Sequence, residues 1–327
     1  MTARDGMPRG PFAKDIDDIV ATKRALGLSY DATERALRRI DRWLAERGND
    51  GSSLPREVVE EWCRLRSHET ECNRHHRVKD MRLLCSWLSA HGTEAWVPPK
   101  GYVRKGPRYE PHIYTDDELR RLFAAIDASR SVPRHCPFRA DVAPVFWRVL
   151  ATTGMRLSEA RLRRVGDLDA DRRLIVVTGA KGRKDRLVPI SDGLADSCRH
   201  LPAITGEGPD GWLFPVRPGE PMSLQCCYKN FRRYLEKAGI PHTGRGPRVH
   251  DLRHTHAVRL LRAWAEEGRD LWACMPYLRT MLGHESFEET AYYLRLTAES
   301  MPSIATTLAT AYPGLVREVT LDAPEFH

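Results

Sequence analysis

Apolar residues in the first 95 positions recur at the three- and four-residue intervals of amphipathic helices. Four such stretches follow one another; Gly48 follows the second and Gly92 the last, as expected where helices stop. Pro55 stands at the start of the third stretch, where its missing N–H costs little. The repeating apolar positions are Ile16, Ile19, Leu26 and Leu28; Leu37, Ile40, Trp43 and Leu44; Val58, Val59, Trp62 and Leu65; and Met81, Leu84, Trp87 and Leu88. The pattern predicts an all-helical domain over residues 1–95.

The next segment, residues 96–114, breaks this periodicity. It is rich in proline, glycine and basic residues, which favour an extended chain over a packed element. We therefore predict a linker here, with a second domain over residues 115–327.

The second domain combines helices with one β-hairpin. Thr115 and Glu118 have the spacing of a capping box, and apolar positions predict helices around 119–126 and 142–152. Two short runs, 174–177 and 186–190, flank a Lys-Gly turn and predict two antiparallel strands. The chain is again helical in pattern from Ser223. The predicted fold is thus mainly α, with a small β-hairpin or sheet.

Composition predicts a soluble protein and indicates a class of partner. Among 327 residues, 41% are hydrophobic and 29% charged, no apolar run could span a bilayer, and residues 1–12 lack a secretory signal. We therefore expect a cytoplasmic protein that does not associate with a membrane. The formal net charge of +8 favours a polyanionic partner such as nucleic acid, and the basic linker suits a connection that follows a DNA backbone.

The eight cysteines do not form a disulfide framework, since they are scattered and contain no C-x-x-C pair. One cluster could in principle bind zinc: Cys63, Cys72, His75, His76 and Cys85. Its residues lack the regular ligand pairs of zinc sites and stand in helical, Arg-rich sequence, which favours reduced, mostly buried thiols. We predict neither a metal nor a cofactor.

Five short segments of the second domain carry candidate chemistry. They are Thr-Gly-Met-Arg ending at Arg156, the hairpin turn with Lys181, the His-Asp-Leu-Arg run of His250 and Arg253, the Leu-Gly-His run ending at His284, and Tyr293 nine residues further on. Each alone has an ordinary structural explanation, such as a surface Arg–Glu pair between Arg156 and Glu159. Together, they suit metal-free attack on a phosphodiester. Arginine forks neutralise non-bridging oxygens, a phenol is an acidic nucleophile, and lysine or histidine protonates the leaving oxygen.

In order and context, these segments resemble the tyrosine recombinase, or phage integrase, family. The resemblance covers the chain after Thr115, and the helical first domain is similar, less specifically, to the family's core-binding domain. It implies that Tyr293 attacks the scissile phosphate, leaving a 3′-phosphotyrosine and a free 5′ hydroxyl, with Lys181 as the general acid. The phosphotyrosine keeps the bond energy, so neither ATP nor metal is needed.

The same resemblance implies roles for the other four residues. Arg156 and Arg253 would clamp the phosphate, His250 would assist proton transfer, and His284 would hydrogen-bond the phosphate. Strand exchange would proceed through a Holliday junction in a homotetramer, with the two domains forming a C-shaped clamp on double-stranded DNA that carries a specific site. Accessory proteins are optional further partners.

Four features depart from the family pattern or compete with it. Tyr292 adjoins Tyr293, but the spacing from His284 selects Tyr293. Lys184 competes with Lys181, and Ala180 stands where a second glycine is usual. The segment between Arg253 and His284 is longer than usual, which could alter contacts with partners.

Two alternatives have different functions. A type IB topoisomerase uses a similar residue set, but the helical first domain and the Leu-Gly-His run favour a recombinase. A DNA-binding protein without catalysis is disfavoured by the complete catalytic set. Within the recombinase class, a simple two-domain organisation favours an integrase of a phage or transposon over a resolvase of chromosome dimers. Residues 303–327 have near-helical apolar spacing and are expected to dock on a neighbouring subunit.

Overall fold

The structure is a computed structural model that describes residues 10–28, 30–106, 109–130, 134, 136–178, 185–243 and 246–299. The predicted general acid Lys181, its neighbours Ala180 and Lys184, and the expected docking tail 303–327 lie outside the described residues. The chain folds into two compact units, the first ending at Tyr109 and the second beginning at Glu110. This boundary falls within the segment that the sequence assigns to a linker.

The first unit contains the four helices that the apolar periodicity predicts. They are α1 (Ala13–Ala25), α2 (Asp31–Ala45), α3 (Arg56–Cys63) and α4 (Glu71–Ala90). Two short strands, β1 (Ser53–Leu54) and β2 (Glu94–Ala95), pair in parallel. Trp96 and Val103, from the predicted linker, pack against the core of this unit.

The core of the first unit corrects one detail of the predicted first helix. Ile16 and Ile19 are buried as expected, whereas Leu26 and Leu28 are exposed. The cause is Gly27, which adopts a left-handed φ of 77° just after α1 and takes the chain off the helical path. Cys63 and Cys85, from the candidate zinc cluster, lie in the core. Burial raises the pKa of these thiols to about 11 and about 12.

The second unit is helical around a three-stranded antiparallel sheet. Its helices are α5 (Asp116–Asp127), α6 (Arg139–Thr153), α7 (Leu157–Ala160), α8 (Asp192–Thr205), α9 (Leu224–Lys237), α10 (Val249–Glu266), α11 (Leu271–Leu282) and α12 (Phe287–Glu299). Its strands are β3 (Leu168–Asp169), β4 (Leu174–Val177), β5 (Arg186–Pro189), β6 (Pro215–Arg217) and β7 (Glu220–Pro221). The sheet order is β3-β4-β5, and β6 pairs with β7.

Local signals in the sequence place two of these elements correctly. The capping box is formed: the Glu118 N–H donates to the Thr115 hydroxyl at 3.2 Å, and the Thr115 N–H donates to the Glu118 carboxylate at 2.9 Å. The predicted hairpin is the β4–β5 pair, with Val177 opposite Arg186. The short strand β3 extends this hairpin into a sheet and was not predicted.

Two hydrophobic clusters organise the second unit. The larger surrounds the buried Trp147 of α6, which packs against Phe231 and Tyr234 of α9. The smaller joins α10, α11 and α12, and it contains Tyr293. Within the described part of the chain, we find no helix long and apolar enough to cross a lipid bilayer.

Candidate active site

A glycine turn between α6 and α7 positions the first candidate arginine, Arg156. Helix α6 ends at Gly154, which has a left-handed φ of 63°. A Cβ at this position would lie 2.8 Å from His256 Cδ2 and 2.9 Å from Leu282 Cδ2, so only glycine fits without displacing neighbours. The chain then reverses into α7 with Arg156 at its N-cap.

Glu159 holds Arg156, as the sequence suggested. The Arg156 Nη1 donates to Glu159 Oε1 at 2.9 Å, and the Arg156 backbone N–H donates to Oε2 at 2.8 Å. On its other side, Arg156 Nη2 donates to the Gly283 carbonyl at 2.9 Å. The guanidinium is thus fixed between α7 and the turn after α11.

A second arginine, Arg186 at the start of β5, binds the same carboxylate. Its Nη1 and Nη2 donate to Glu159 Oε1 and Oε2 at 3.2 and 2.7 Å. Both side chains are almost fully buried. Burial alone would raise the pKa of Glu159, but Arg186 and the contacts from Arg156 outweigh it and lower the pKa to about 2. Glu159 is therefore a fixed negative charge between two guanidinium groups.

Arg253 is almost fully buried, with 2% of its surface exposed. It donates from Nη1 to the Gly154 carbonyl and from Nη2 to the Leu282 carbonyl, both at 2.7 Å. Burial, together with the charge of Arg156, lowers its pKa to about 10, so it remains a cation at neutral pH. A guanidinium has five N–H donors, which leaves donors on both Arg156 and Arg253 for a ligand.

Three successive carbonyls at the end of α11 each accept a hydrogen bond from an arginine. Arg186 Nε donates to Met281 at 2.9 Å, while Arg253 and Arg156 donate to the next two carbonyls. These carbonyls lack partners within the helix and lie at the negative end of its dipole, so cations are favoured there. Gly283 ends the helix at a φ of 66°, and a Cβ on it would lie 2.9 Å from Arg186 Nη1.

His284 follows this turn directly. Its Nδ1 lies 2.7 Å from the Thr290 hydroxyl of α12. Burial, followed by the charges of Arg253 and Arg156, lowers its pKa to about 3. The imidazole is therefore neutral at physiological pH.

His250 lies one turn before Arg253 on α10, with its ring against that of His254 at 4.8 Å. His250 is partly exposed to solvent. The surrounding protein and the charges of Arg253 and Arg156 lower its pKa below the ordinary value. Like His284, it is a neutral imidazole beside two guanidinium groups.

Tyr293 on α12 lies against His284 and His254, with 2% of its surface exposed. Its ring is parallel to that of His284 at 5.9 Å and tilted against that of His254 at 5.5 Å. Burial raises the pKa of its hydroxyl, while the charge of Arg253 and a hydrogen bond from it act in the opposite direction. Tyr292 is half-buried and packs at the edge of the α10–α12 cluster.

The structure thus brings together five of the six predicted residues: Arg156, His250, Arg253, His284 and Tyr293. The sixth, Lys181, lies outside the described residues. Arg186 was not assigned a role from the sequence. One signal could have revealed it: Arg186 alternates with Val188 on the inward face of β5, and a charge at an inward strand position requires a buried partner.

The cluster has the chemistry needed to bind a phosphate and attack it. It combines two guanidinium groups with free donors, two neutral imidazoles and a phenol beside one of the guanidinium groups. A model of the phage integrase family matches residues 113–300, more than half of the chain, and this range contains every residue of the cluster. The chain belongs to the phage integrase family. It is accordingly a tyrosine-type DNA strand transferase.

Relatives of this phage integrase family member carry integrase and recombinase names. A protein of Sinorhizobium fredii named integrase/recombinase is 26% identical over 301 residues, which cover 89% of this chain and 94% of the relative. The tyrosine recombinase XerA of Thermococcus kodakarensis is 33% identical over 199 residues, covering 60% of this chain and 62% of that protein.

Solved structures of integrases and recombinases share the fold. The Tn1549 transposon integrase in complex with transposon right-end DNA has a TM-score of 0.62 at 17% identity, covering 85% of this chain and 94% of that one. The XerH site-specific recombinase bound to a palindromic difH substrate has a TM-score of 0.58 at 17% identity, covering 76% and 70%. The predicted mainly helical fold with small sheets is confirmed.

Proposed function

We propose that this phage integrase family member is a site-specific DNA recombinase, which cuts and rejoins DNA through a covalent bond between Tyr293 and a 3′ phosphate. The observation that carries the proposal is the position of the Tyr293 hydroxyl, which is buried beside Arg253 in the cluster with Arg156, His250 and His284. Family membership supports recombination as the overall activity.

In the first step, Tyr293 Oη forms a bond to the scissile phosphorus, and the bond from phosphorus to the 5′ oxygen breaks. The phenol begins protonated, because burial raises its pKa, so the step requires a proton acceptor. His250 is neutral and fits that role. The departing 5′ oxygen takes a proton, for which Lys181 is the proposed donor.

The two guanidinium groups would bind the non-bridging oxygens of the phosphate. Charge increases on those oxygens in the transition state, so preorganised donors there accelerate the reaction. His284 supplies a further donor: when the Thr290 hydroxyl donates to Nδ1, the neutral ring carries its proton on Nε2. Rejoining is the reverse reaction, in which a 5′ hydroxyl attacks the phosphotyrosine and Tyr293 leaves with its proton restored.

The position of β5 supports Lys181 as the general acid. Arg186 begins this strand and contacts Glu159 within the cluster, so the connection between β4 and β5 leaves the sheet beside the site. Lys181 belongs to that connection. In the sequence, Lys181 stands five residues before Arg186, and this short separation supports it as the proton donor to the leaving oxygen.

The proposed substrate is double-stranded DNA with a specific site, bound by four copies of the chain, with accessory proteins as optional partners. The net charge of +8 favours such a polyanion, and the similar Tn1549 and XerH structures are complexes with DNA. The S. fredii relative is named integrase/recombinase, and we propose that this chain is the integrase of a mobile element. Action on chromosomal or element DNA would place the protein in the cytoplasm.

A plasmid with two copies of the site, identified from the DNA at the element's junctions, tests this function. Wild type should excise or invert the intervening segment, and Tyr293→Phe should bind the site without recombining it. Tyr292→Phe is the matched control and should recombine normally. Relaxation of supercoiled plasmid that lacks the site would instead indicate a topoisomerase. Site binding by wild type without any product would indicate a DNA-binding protein without catalysis.

A further inference from the structure

Arg186 has no part in the phosphate chemistry described above, yet it uses all three of its nitrogens within the site. Two bind the Glu159 carboxylate in a bidentate pair, and Nε binds the Met281 carbonyl. Its side chain is 4% exposed, so these contacts are shielded from water. A buried guanidinium requires such partners, and the partners in turn depend on it.

Glu159 connects Arg186 to Arg156. Its carboxylate lies between the two guanidinium groups, with Arg156 Nη1 at 2.9 Å and Arg186 Nη2 at 2.7 Å. Removal of Arg186 would leave a buried carboxylate with one of its two cationic partners. The orientation of Arg156 would then depend on the Glu159 carboxylate, whose charge and position would no longer be fixed by Arg186.

The same side chain supports the turn before His284. Arg186 holds the first of the three acceptor carbonyls at the end of α11, and its guanidinium fills the space beside the α-carbon of Gly283. Loss of the side chain would open a cavity beside Gly283. The Gly283 carbonyl orients Arg156, and Gly283 directly precedes His284.

We infer that Arg186 is a positioning residue for DNA cleavage, which sets Arg156 through Glu159 and sets His284 through the end of α11. The inference rests on the proposed function, because it assigns Arg186 to the cleavage step at Tyr293. Arg186 acts through its neighbours and need not touch the DNA.

Arg163 offers a matched comparison within the same sheet region. It is also buried, pairs with Asp167, and donates to the carbonyls of Glu159, Val176 and Thr178. Among the described residues, these contacts reach neither the Glu159 carboxylate nor the carbonyls at the end of α11. A purely structural role for buried arginines predicts similar effects at both positions, whereas a positioning role predicts a specific effect at Arg186.

The pH profile separates positioning from general stability. Glu159 faces Arg156 and Arg186 directly, and Arg253 and His250 of α10 at longer range. In wild type, Glu159 stays ionised throughout the working pH range. Without Arg186, burial favours the protonated acid, so Arg156 should lose its anchor as the pH falls.

The experiment measures single-turnover cleavage of a nicked suicide duplex, with DNA affinity measured separately. Arg186→Met should slow cleavage by about 100-fold, as expected for a misplaced catalytic group, with an unchanged Kd. Its cleavage rate should fall further at mildly acidic pH, unlike that of wild type. This acidic limb should disappear in the double variant with Glu159→Gln, which has no carboxyl to titrate.

Two further variants keep the test decisive if Arg186→Met folds poorly. Arg186→Lys retains the charge but cannot bind both carboxylate oxygens and Met281 together, so its rate should be intermediate. Arg163→Met should cleave at the wild-type rate per folded molecule. Equal loss at Arg163 and Arg186, or wild-type cleavage and pH profile in both Arg186 variants, would overturn the inference. Absence of cleavage by wild type itself would instead contradict the proposed function.

Discussion

The chemistry of the site depends on how burial sets the charge of each residue. Arg156 and Arg253 carry the positive charge, whereas desolvation, followed by the charges of the same two arginines, lowers the pKa of His250 and His284 and keeps both neutral. A neutral imidazole can accept a proton from Tyr293 or donate a hydrogen bond to phosphate, and it does not compete with the arginines for anionic oxygens. The Glu159 carboxylate accepts hydrogen bonds from both Arg156 and Arg186.

The lowered histidine pKa values predict that acid destabilises the fold. His284 titrates near 3 and His256 near 4 in the folded chain, against 6.5 when unfolded. The unfolded state therefore binds more protons below pH about 6.5, and stability is lost as the pH falls. Each such histidine should cost about 1.4 kcal/mol of unfolding free energy per pH unit below that value.

Urea unfolding between pH 6.5 and 4.5 measures this effect. In that range the stabilisation from ionised Glu159 is constant, because it is lost only as the pH falls below the unfolded pKa of 4.5. His284→Asn should reduce the slope of unfolding free energy against pH by the equivalent of about one proton. An unchanged slope in this variant would show that His284 is not held neutral by the fold.

Residue-level patterns in the sequence identified the chemical groups of the site but not all of their connections. Arg156, Arg253 and Tyr293 stand in recognisable local contexts. Arg186 does not, because its partners are distant in sequence: Glu159 is 27 residues away and Met281 is 95 residues away. Periodicity reports which face of an element is buried, and only the folded chain shows which charges meet there.

At the scale of elements, the site is assembled at three helix ends. Helix α6 ends at Gly154, α7 begins at Arg156, and α11 ends at Gly283. Helix ends have backbone groups without partners inside the helix. Here the carbonyls of Gly154 and Gly283 accept hydrogen bonds from arginines and orient them. Both glycines belong to motifs that the sequence singled out, but their close contacts with His256 and Arg186 arise only in the packed structure.

Gly283→Ala should therefore affect both stability and cleavage. The left-handed φ alone costs a non-glycine residue about 1–2 kcal/mol, and the added Cβ would displace the Arg186 guanidinium. Gly206→Ala is the matched control: Gly206 also ends a helix, at a φ of 72°, with no atom within 4 Å of its Cβ position.

Both variants should lower the urea midpoint, with the larger loss at Gly283. Only Gly283→Ala should slow single-turnover cleavage. Equal stability losses with normal cleavage in both would mean that the α11 turn does not depend on close packing against Arg186.

At the scale of the whole molecule, two compact units divide the chain near residue 109, and the candidate site belongs entirely to the second unit. The apolar periodicity was sufficient to predict the four helices of the first unit, because amphipathic helices carry their burial pattern locally. The short strands β1, β2, β3, β6 and β7 were missed, since strands of two or three residues have too short a period to detect.

Assembly is the property that we expect to depend on the C-terminal segment. Residues 303–327 have apolar side chains at near-helical spacing, including Ile304, Leu308 and Tyr312. Deletion of the residues after Tyr312 should weaken tetramer formation on paired sites more than it weakens binding to a single site. Sedimentation of the DNA complexes and gel-shift titration would measure the two; equal loss of both would contradict docking between subunits.

Peptide mapping of a trapped adduct tests the proposed covalent bond between Tyr293 and DNA. Wild type would be incubated with a nicked suicide duplex of the cognate site, digested with protease, and the DNA-linked peptide sequenced by mass spectrometry. We expect one modified residue, Tyr293, and an adduct that persists in Tyr292→Phe but disappears in Tyr293→Phe. Modification of Tyr292, or no adduct on a site that wild type binds, would contradict it.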